Sequence, residues 1–137
     1  MDLFGEMQKA VVAAKEIDTL KDQAEKVEMA LSSMGEVAMH MGQTAMSPKV
    51  LDAFANAHPF QDAVGDVVVA WMLLWRASVA APKVEKAKKK DKPFYEGVVK
   101  SLQFFVETQL PITMGNLKAL KTTSSVAVDM DDASFGG

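Results

Sequence analysis

The 137-residue sequence has a length that suits one domain with a single hydrophobic core. Its 15 Lys and Arg against 18 Asp and Glu give a formal net charge of −3, a balance that disfavours nucleic acid or another polyanion as a partner. The chain contains no Cys, which excludes a disulfide framework, a thiolate nucleophile and a Cys-based zinc or iron–sulfur site.

The N-terminal stretch predicts a short helix and no export signal. Residues 1–6 carry two acids and lack the basic flank and long apolar run of a signal peptide, so we expect an intracellular, cytoplasmic location. From Asp2 to Ile17 apolar residues recur at helical spacing, and Asp2 and Glu6 lie where the positive end of a helix dipole favours acids. The apolar set of this helix is Leu3, Phe4, Met7, Val11 and Ala14.

A second helix follows with the cleanest periodicity in the chain. Thr19 and Asp22 resemble a capping pair at its start. Behind them a strict four-three alternation predicts a buried seam made of Leu20, Ala24, Val27, Leu31, Met34, Ala38, Met41 and Ala45. Gly35 and Gly42 lie seven residues apart beside this seam, so we expect a neighbouring helix to approach closely there.

One short helix separates this seam from the next long one. Ser47 and Pro48 predict its cap and first turn, and it should end near His58. Its apolar side is predicted to consist of Val50, Leu51 and Phe54.

The chain is organised around a central helix that begins at Pro59 and covers Phe60–Ala81. Nine consecutive apolar residues, Val67–Trp75, lie at its centre, and apolar side chains cover most of the circumference. A helix of this kind is buried among other helices, and a run of nine is short of the roughly 20 apolar residues needed to cross a bilayer. We therefore expect the central helix of a soluble bundle. Trp71 should lie in the core, and the position of Trp75 is left open.

Pro82 and a lysine-rich stretch follow the central helix. Pro82 should kink the helix rather than end it, because Val84 and Ala87 continue the pattern weakly. The stretch predicts a solvated turn at one end of the bundle. Its alternative role is to neutralise phosphates of a nucleotide-like ligand or to contact an anionic membrane surface. The lysines are Lys83, Lys86, Lys88, Lys89, Lys90 and Lys92.

The last long helix is predicted from Pro93 to Lys121, with a tolerable kink at Pro111 on its outer side. Its inner stripe is Tyr95, Val98, Val99, Leu102, Phe105, Val106, Leu110, Met114, Leu117 and Leu120. The run Thr122–Ser125 breaks the periodicity, and the polar, acidic remainder should be loosely ordered. We predict an all-α fold, an antiparallel four-helix bundle with one extra short helix and a flexible acidic C-terminal tail, divided into residues 1–121 and 122–137.

Candidate chemistry is sparse. Glu36 and His40 share one face of the second helix, and we interpret them as an exposed pair rather than as metal ligands. His58 lacks a carboxylate at the spacing used by helical dinuclear sites. We therefore predict no catalytic, cofactor-binding or metal-binding residue in this chain. Several methionines on inner stripes could instead line an adaptable pocket or ligate a haem, although core filling is the preferred interpretation: Met34, Met41, Met72 and Met114.

One combination of motifs resembles a known family. The order and spacing are similar to the extra C-terminal helical domain of the large bacterial acyl-CoA dehydrogenases, whose C-terminal domain is described as acetyl-CoA dehydrogenase-like. The resemblance covers nearly the whole chain, and the acidic tail with a Phe near its end is similar to the way those enzymes end. The motifs are Gly65–Val67, Trp71–Leu73, Arg76–Ala77, Phe94–Gly97, Phe104–Phe105 and Leu110–Pro111.

The resemblance implies a domain without its own reaction. Members of that family oxidise an acyl-CoA thioester to its enoyl form in fatty acid metabolism, with FAD as hydride acceptor and a glutamate as base, and both sites belong to a larger upstream core. We therefore expect a structural and interaction domain, inactive alone and without cofactor, whose partners are the dehydrogenase core and further copies in a homo-oligomer. It would be a fragment or an independently expressed module with Met1 supplied at its start. The alternative is a self-standing helical bundle that binds a partner protein or a small apolar ligand in a Met-rich interior.

Overall fold

The structure, a computed structural model, describes residues 2–136 and contains helices, turns and no β-strand within that range. The predicted all-α class is confirmed. The helices are α1 (Leu3–Lys15), α2 (Lys21–Ala45), α3 (Val50–Ala55), α4 (Ala57–Val84), α5 (Lys92–Thr108), α6 (Leu110–Leu120) and α7 (Val126–Asp129), with short 3-10 turns at Asp18–Leu20 and Asp132–Phe135.

Helix α4 lies at the centre of the fold, as predicted. It contacts α1, α2, α3, α5 and α6. Its buried row is mostly alanine, and small side chains allow neighbouring helices to approach the α4 backbone closely. The row is Ala63, Val67, Ala70, Leu74, Ala77 and Ala80.

The prediction that α4 is buried on nearly all sides is wrong. Only one side of the helix is covered, and Trp75 is 54% exposed on the other, together with other large apolar side chains. Trp71 is partly buried against the core, close to its predicted place. The large side chains that stay outside are Val69, Met72, Trp75 and Val79.

Helix α4 is also long and apolar enough, by length and composition alone, to cross a membrane, and it is the one such helix among the described residues. The core helix of a soluble protein also satisfies this criterion of length and composition. The short length of the Val67–Trp75 run is therefore not a sufficient argument against a membrane span. The prediction of a soluble bundle depends instead on how the alanine-rich row of α4 packs.

Helix α1 begins as predicted. Asp2 caps it by accepting a hydrogen bond from the backbone N–H of Gly5 at 3.1 Å. Met7 and Val11 are buried with Ala14, but Leu3 and Phe4, predicted to belong to the same apolar side, are exposed. The first turn of α1 therefore extends beyond the neighbours that cover the rest of its inner side.

Helix α2 carries most of its predicted seam, with a drift toward the C-terminus. Ala38 and Ala45 are exposed, and Val37 is buried instead. A straight α-helix has 3.6 residues per turn, so a strict 3.5-residue row rotates by about 20° per heptad and leaves the buried side. The seam residues that are buried are Leu20, Ala24, Val27, Leu31 and Met41, joined by Ala30 and Val37.

Two further expectations for α2 are wrong. The helix begins after the 3-10 turn Asp18–Leu20, and no side chain caps it, so Thr19 is not the cap. Gly35 and Gly42 have no atom outside their own stretch of α2 within 4 Å of the point where a Cβ would lie, so no neighbouring helix approaches closely there.

Helix α3 is turned over relative to the prediction. Leu51 and Phe54 are 61% and 70% exposed, whereas Asp52 is only 4% exposed. Ser47 does not cap α3 but forms a turn, in which its hydroxyl accepts from the backbone N–H of Lys49. Because α3 has only six residues, its apolar pattern is weak. The turns before and after the helix and the hydrogen bond between Ser125 and Asp52 decide its orientation instead.

Helix α4 ends soon after Pro82. The helix stops at Val84, and the predicted continuation through Ala87 is wrong. Residues 85–91 form the turn to α5, and the predicted solvated lysine turn is confirmed there. The ammonium of Lys83 lies 5.8 Å from the centre of the Tyr95 ring, a cation–π distance that ties the end of α4 to the start of α5.

The last predicted helix is two helices. Helix α5 ends at Thr108 and α6 begins at Leu110, so the chain breaks at Gln109 and Pro111 lies in the first turn of α6. Proline is tolerated in a first turn because its missing N–H would have no partner within the helix. The predicted inner stripe is confirmed, with its members buried or partly buried. Thr113 is an additional, fully buried polar residue.

Beyond residue 121 the chain makes two short helical turns, α7 and Asp132–Phe135, whose residues are not buried. Helix α7 contacts α3. The boundary at residue 122 and the flexibility of the tail stay predictions, and Met1 and Gly137 lie outside the described residues.

Candidate functional site

An apolar surface of functional interest lies where α1 meets the uncovered side of α4. We call it the tryptophan face and define it by Leu3, Ala10, Val69, Met72, Trp75 and Val79. Helical spacing along α4 places its members on one side, and the alanine row on the opposite side fixes that orientation. Exposed apolar surface of this kind marks protein or ligand interaction sites more often than isolated exposed residues do.

The two tryptophans of the chain form the centre of this face. The Trp71 and Trp75 rings stack with their centroids 6.0 Å apart and an angle of 14° between the ring planes. The Nε1 atom of Trp71 is buried and has no hydrogen-bond partner. Stacking against a partly buried neighbour holds the Trp75 ring in place, so this large apolar side chain projects as a preorganised ridge.

A groove lies on each side of the Trp75 ridge. The first, of about 600 Å³, runs between α1 and α4 and is lined by Leu3, Glu6, Lys9, Ala10, Ala13, Trp71, Trp75 and Ser78. The second, of about 430 Å³, is lined by Val69, Met72, Leu73, Trp75, Arg76 and Val79. Both are open on the surface, and Trp75 is their shared wall.

Three charged residues border these grooves. Glu6 and Lys9 pair at 2.7 Å on α1, and this hydrogen bond and the nearby negative charge raise the pKa of the Lys9 ammonium. Arg76 lines the groove on the far side of the ridge. The face therefore has a neutral pair on one edge and a positive charge on the other.

A polar cluster joins α4 to the break between α5 and α6. The Oδ2 atom of Asp66 accepts from the Thr113 hydroxyl at 2.7 Å and from the Gln109 amide at 3.0 Å. One carboxylate thus satisfies a fully buried hydroxyl and the residue at which the helix breaks. We call this cluster the joint; both donors share the Oδ2 atom of Asp66.

A second polar cluster holds the segment after α6. Lys121 pairs with Glu36 at 2.5 Å, the Thr123 hydroxyl meets the His40 ring, and the Ser125 hydroxyl donates to buried Asp52 at 2.6 Å. We call these six residues the latch. It fastens the start of the tail to α2 and α3.

The latch accounts for both candidate residues on α2. Glu36 and His40 were predicted to be an exposed pair, but the structure gives each of them a partner after α6. His58 lies 3.6 Å from Asp62 on α4, and both side chains are well exposed. Among residues 2–136 no group of three or more His, Asp and Glu side chains is arranged to hold a metal ion.

The predicted Met-rich interior is only partly present. Met41 is buried, and Met34 and Met114 pack against the core, but Met72 is half exposed, which corrects its assignment to an inner stripe. The grooves around the tryptophan face are surface features rather than an enclosed cavity lined by methionine. The six lysines lie in or beside the turn after α4, as predicted, without a carboxylate partner among the described residues.

Sequence reasoning missed the joint and the latch. Asp66 directly precedes the apolar run Val67–Trp75, and a carboxylate on the inner side of a core helix is itself a signal of a buried hydrogen bond. Asp52 between apolar neighbours on α3 carried the same signal. The pairing over more than 40 residues of chain could not be inferred without knowing which helices are neighbours.

Comparisons with known proteins point to one kind of enzyme. The chain is 30% identical over 77 residues to the broad-specificity linear acyl-CoA dehydrogenase FadE5 of Mycobacterium tuberculosis, covering 56% of this chain and 13% of that protein. It is 25% identical over 127 residues to butyryl-CoA dehydrogenase of Syntrophomonas wolfei, covering 90% of this chain and 20% of that protein. The chain thus spans a fifth or less of the length of these curated relatives.

The family itself is shown by a match that covers nearly the whole chain. A family model described as "Acetyl-CoA dehydrogenase C-terminal like" matches residues 3–131, from the first residue of α1 to just beyond α7. The predicted resemblance is confirmed. The helical chain with its central α4 belongs to the acetyl-CoA dehydrogenase C-terminal-like domain family.

Proposed function

We propose that this chain is the C-terminal structural and interaction domain of an FAD-dependent acyl-CoA dehydrogenase-like protein and has no dehydrogenase activity alone. The observation that carries this proposal is the family match over residues 3–131 in a chain that spans only 13% and 20% of its two dehydrogenase relatives. In such a protein the reaction, oxidation of an acyl-CoA thioester to the enoyl form, belongs to the remaining core. FAD would accept the hydride there.

The residues of this chain do not fit a flavin site. FAD needs polar groups for its pyrophosphate and for the edge of its ring. In the larger groove the polar lining is Glu6, Lys9 and Ser78, and Lys9 is already paired with Glu6. On this proposal, the residues of this chain take no part in the flavin reaction.

The proposal also covers the helix arrangement of the domain, its partners and its cellular location. The contacts of α4 with α2, α5 and α6 support an antiparallel four-helix bundle in which α5 and α6 together occupy the position of one helix. The partners are the dehydrogenase core and further copies of the chain in a homo-oligomer. A cytoplasmic location is part of the proposal, supported by the cysteine-free composition.

The proposal is tested on the purified chain. We expect a colourless protein without a flavin absorbance band and without turnover of acyl-CoA in the presence of an electron acceptor. A separately expressed dehydrogenase portion from the same reading frame should bind it. A yellow chain with bound flavin would contradict the proposal, as would a stop codon directly upstream of Met1 in a genome without an adjoining dehydrogenase core.

A second candidate function is favoured by one observation, the groove of about 600 Å³ between α1 and α4. A self-standing bundle could bind a small apolar ligand there, on the surface rather than in the interior. If the groove binds such a ligand, a linear fatty acid should raise the melting temperature of the wild type. The Ala10→Trp variant should lose this stabilisation, because the larger side chain fills the groove. Equal stabilisation of both proteins would contradict it.

A further inference from the structure

The tryptophan face carries a projection and a matching depression side by side. Trp75 projects between the two grooves and is 54% exposed, while the groove between α1 and α4 has a volume of about 600 Å³. A surface with both features can pair with a copy of itself, because a two-fold axis brings the projection of each copy to the depression of the other.

We propose that the tryptophan face is the interface of a symmetric dimer of this chain, in which each Trp75 enters the groove between α1 and α4 of the second copy. This inference rests on the homo-oligomer of the proposed function and names its contact face. It does not depend on the flavoenzyme part of that function.

The floor of the groove suits an indole ring. Ala10 and Ala13 line it on the α1 side, and their small side chains leave the space that a large ring needs. Trp71 forms part of the opposite wall, so an entering Trp75 of the second copy would meet an aromatic surface. Tryptophan is also the residue type that most often dominates the binding energy at the centre of an interface.

The charges at the edges of the face favour the same partner. Glu6 lines the groove on one side of the ridge, and Arg76 lines the groove on the other. When two ridges lie side by side around a two-fold axis, the far groove of each copy faces α1 of the other. Arg76 of one copy then approaches Glu6 of the second, whose carboxylate can accept from Arg76 in addition to Lys9.

The first experiment measures the oligomeric state of the full chain by sedimentation equilibrium over a range of concentrations. We expect a dimer for the wild type and a monomer for Trp75→Glu, because the substitution places a charge in an apolar groove. The matched control is Phe104→Glu on α5, where Phe104 is 69% exposed and outside the tryptophan face; it should remain a dimer. Circular dichroism shows that each variant is folded.

The second experiment tests the charge pair. Glu6→Arg and Arg76→Glu should each raise the dimer dissociation constant about ten-fold, and the double variant should restore most of the wild-type affinity. Additive loss in the double variant would overturn the proposed two-fold arrangement. A wild-type chain that is monomeric at every concentration would overturn the dimer itself.

The same variants also test two other partners that could cover the tryptophan face. If the wild type is monomeric but binds a separately expressed dehydrogenase portion and Trp75→Glu does not, the face belongs to the core and the dimer proposal fails. Cosedimentation of a monomeric wild type with phosphatidylglycerol vesicles, lost in Trp75→Glu, would assign the face to a membrane surface and also overturn the dimer. Flavin absorbance of the same samples separates the two proposals. A colourless monomer contradicts the dimer and the homo-oligomer on which it rests, but not the flavin-free dehydrogenase domain, whereas a yellow dimer contradicts only the flavin-free domain.

Discussion

The two sides of α4 are both apolar, yet one is buried and the other is not. The buried side is built mainly of alanine around Val67 and Leu74, whereas the open side carries Val69, Met72, Trp75 and Val79. Small side chains let neighbouring helices come close over a long stretch, and large ones hold them away. The comparison teaches that side-chain size, rather than hydrophobicity, separates the packed side of this helix from the side that is free for a partner.

The largest change in stability is expected when a large side chain is removed from the packed side of α4. Leu74→Ala deletes a fully buried side chain and should lower the free energy of unfolding by about 2–5 kcal/mol, through lost burial and the cavity left behind. Chemical denaturation measures the change. Met72→Ala on the open side is the matched control and, at protein concentrations low enough for the chain to be monomeric, should cost less than about 0.5 kcal/mol. Equal losses in the two variants would contradict the assignment of the sides.

A substitution that enlarges a buried alanine sharpens the same point. Ala77 is fully buried, so Ala77→Leu should lower the free energy of unfolding by about 1–3 kcal/mol because the added atoms force neighbouring helices apart. Thermal and urea unfolding monitor it. Val79→Leu adds bulk two residues away on the open side and should leave the stability of the dilute, monomeric chain nearly unchanged. A stabilised Ala77→Leu would show that the row is loosely packed.

The joint is the polar exception on the packed side. Asp66→Ala removes the acceptor for Gln109 and Thr113 and should cost about 1–2 kcal/mol, since the buried Thr113 hydroxyl keeps only its long bond to the Gln109 carbonyl. Hydrogen exchange of the amides around Gln109 should rise in this variant. Asp62→Ala, one turn earlier and well exposed, serves as the control. Unchanged exchange would show that the helix break does not need the carboxylate.

The latch gives the smallest expected effect. Ser125→Ala removes the hydroxyl that donates to Asp52 and should lower the free energy of unfolding by about 1 kcal/mol. Limited proteolysis should then cut the tail faster, because its start is released from α3. Ser124→Ala, a neighbour whose side chain is exposed, is the control. Identical cleavage rates in the two variants would contradict the fastening role.

Much of the fold follows from helical periodicity. Long patterns with many members, such as those of α2 and α5, predicted helices and their buried rows, since each row is supported by several turns. The pattern of α3 has only three apolar members, and the structure turns this helix over so that Asp52 is inside and Phe54 outside. A single buried hydrogen bond to Ser125 outweighs so short a pattern.

The uncovered side of α4 could not be predicted for a different reason. Periodicity tells which residues share a side of a helix, but it does not tell how many neighbours surround that helix. An all-apolar circumference is compatible with complete burial and with one side reserved for an external partner. The alanines at positions 63, 70, 77 and 80 are the signal that could have identified the packed side.

The tryptophan pair also has an optical consequence. The chain contains only two tryptophans, and they stack on each other at this one surface. Tryptophan fluorescence of the unmodified protein therefore arises from a single place, and a molecule that binds there must alter the polarity around the Trp75 indole. Without an added dye, emission wavelength reports the environment of that surface and little else.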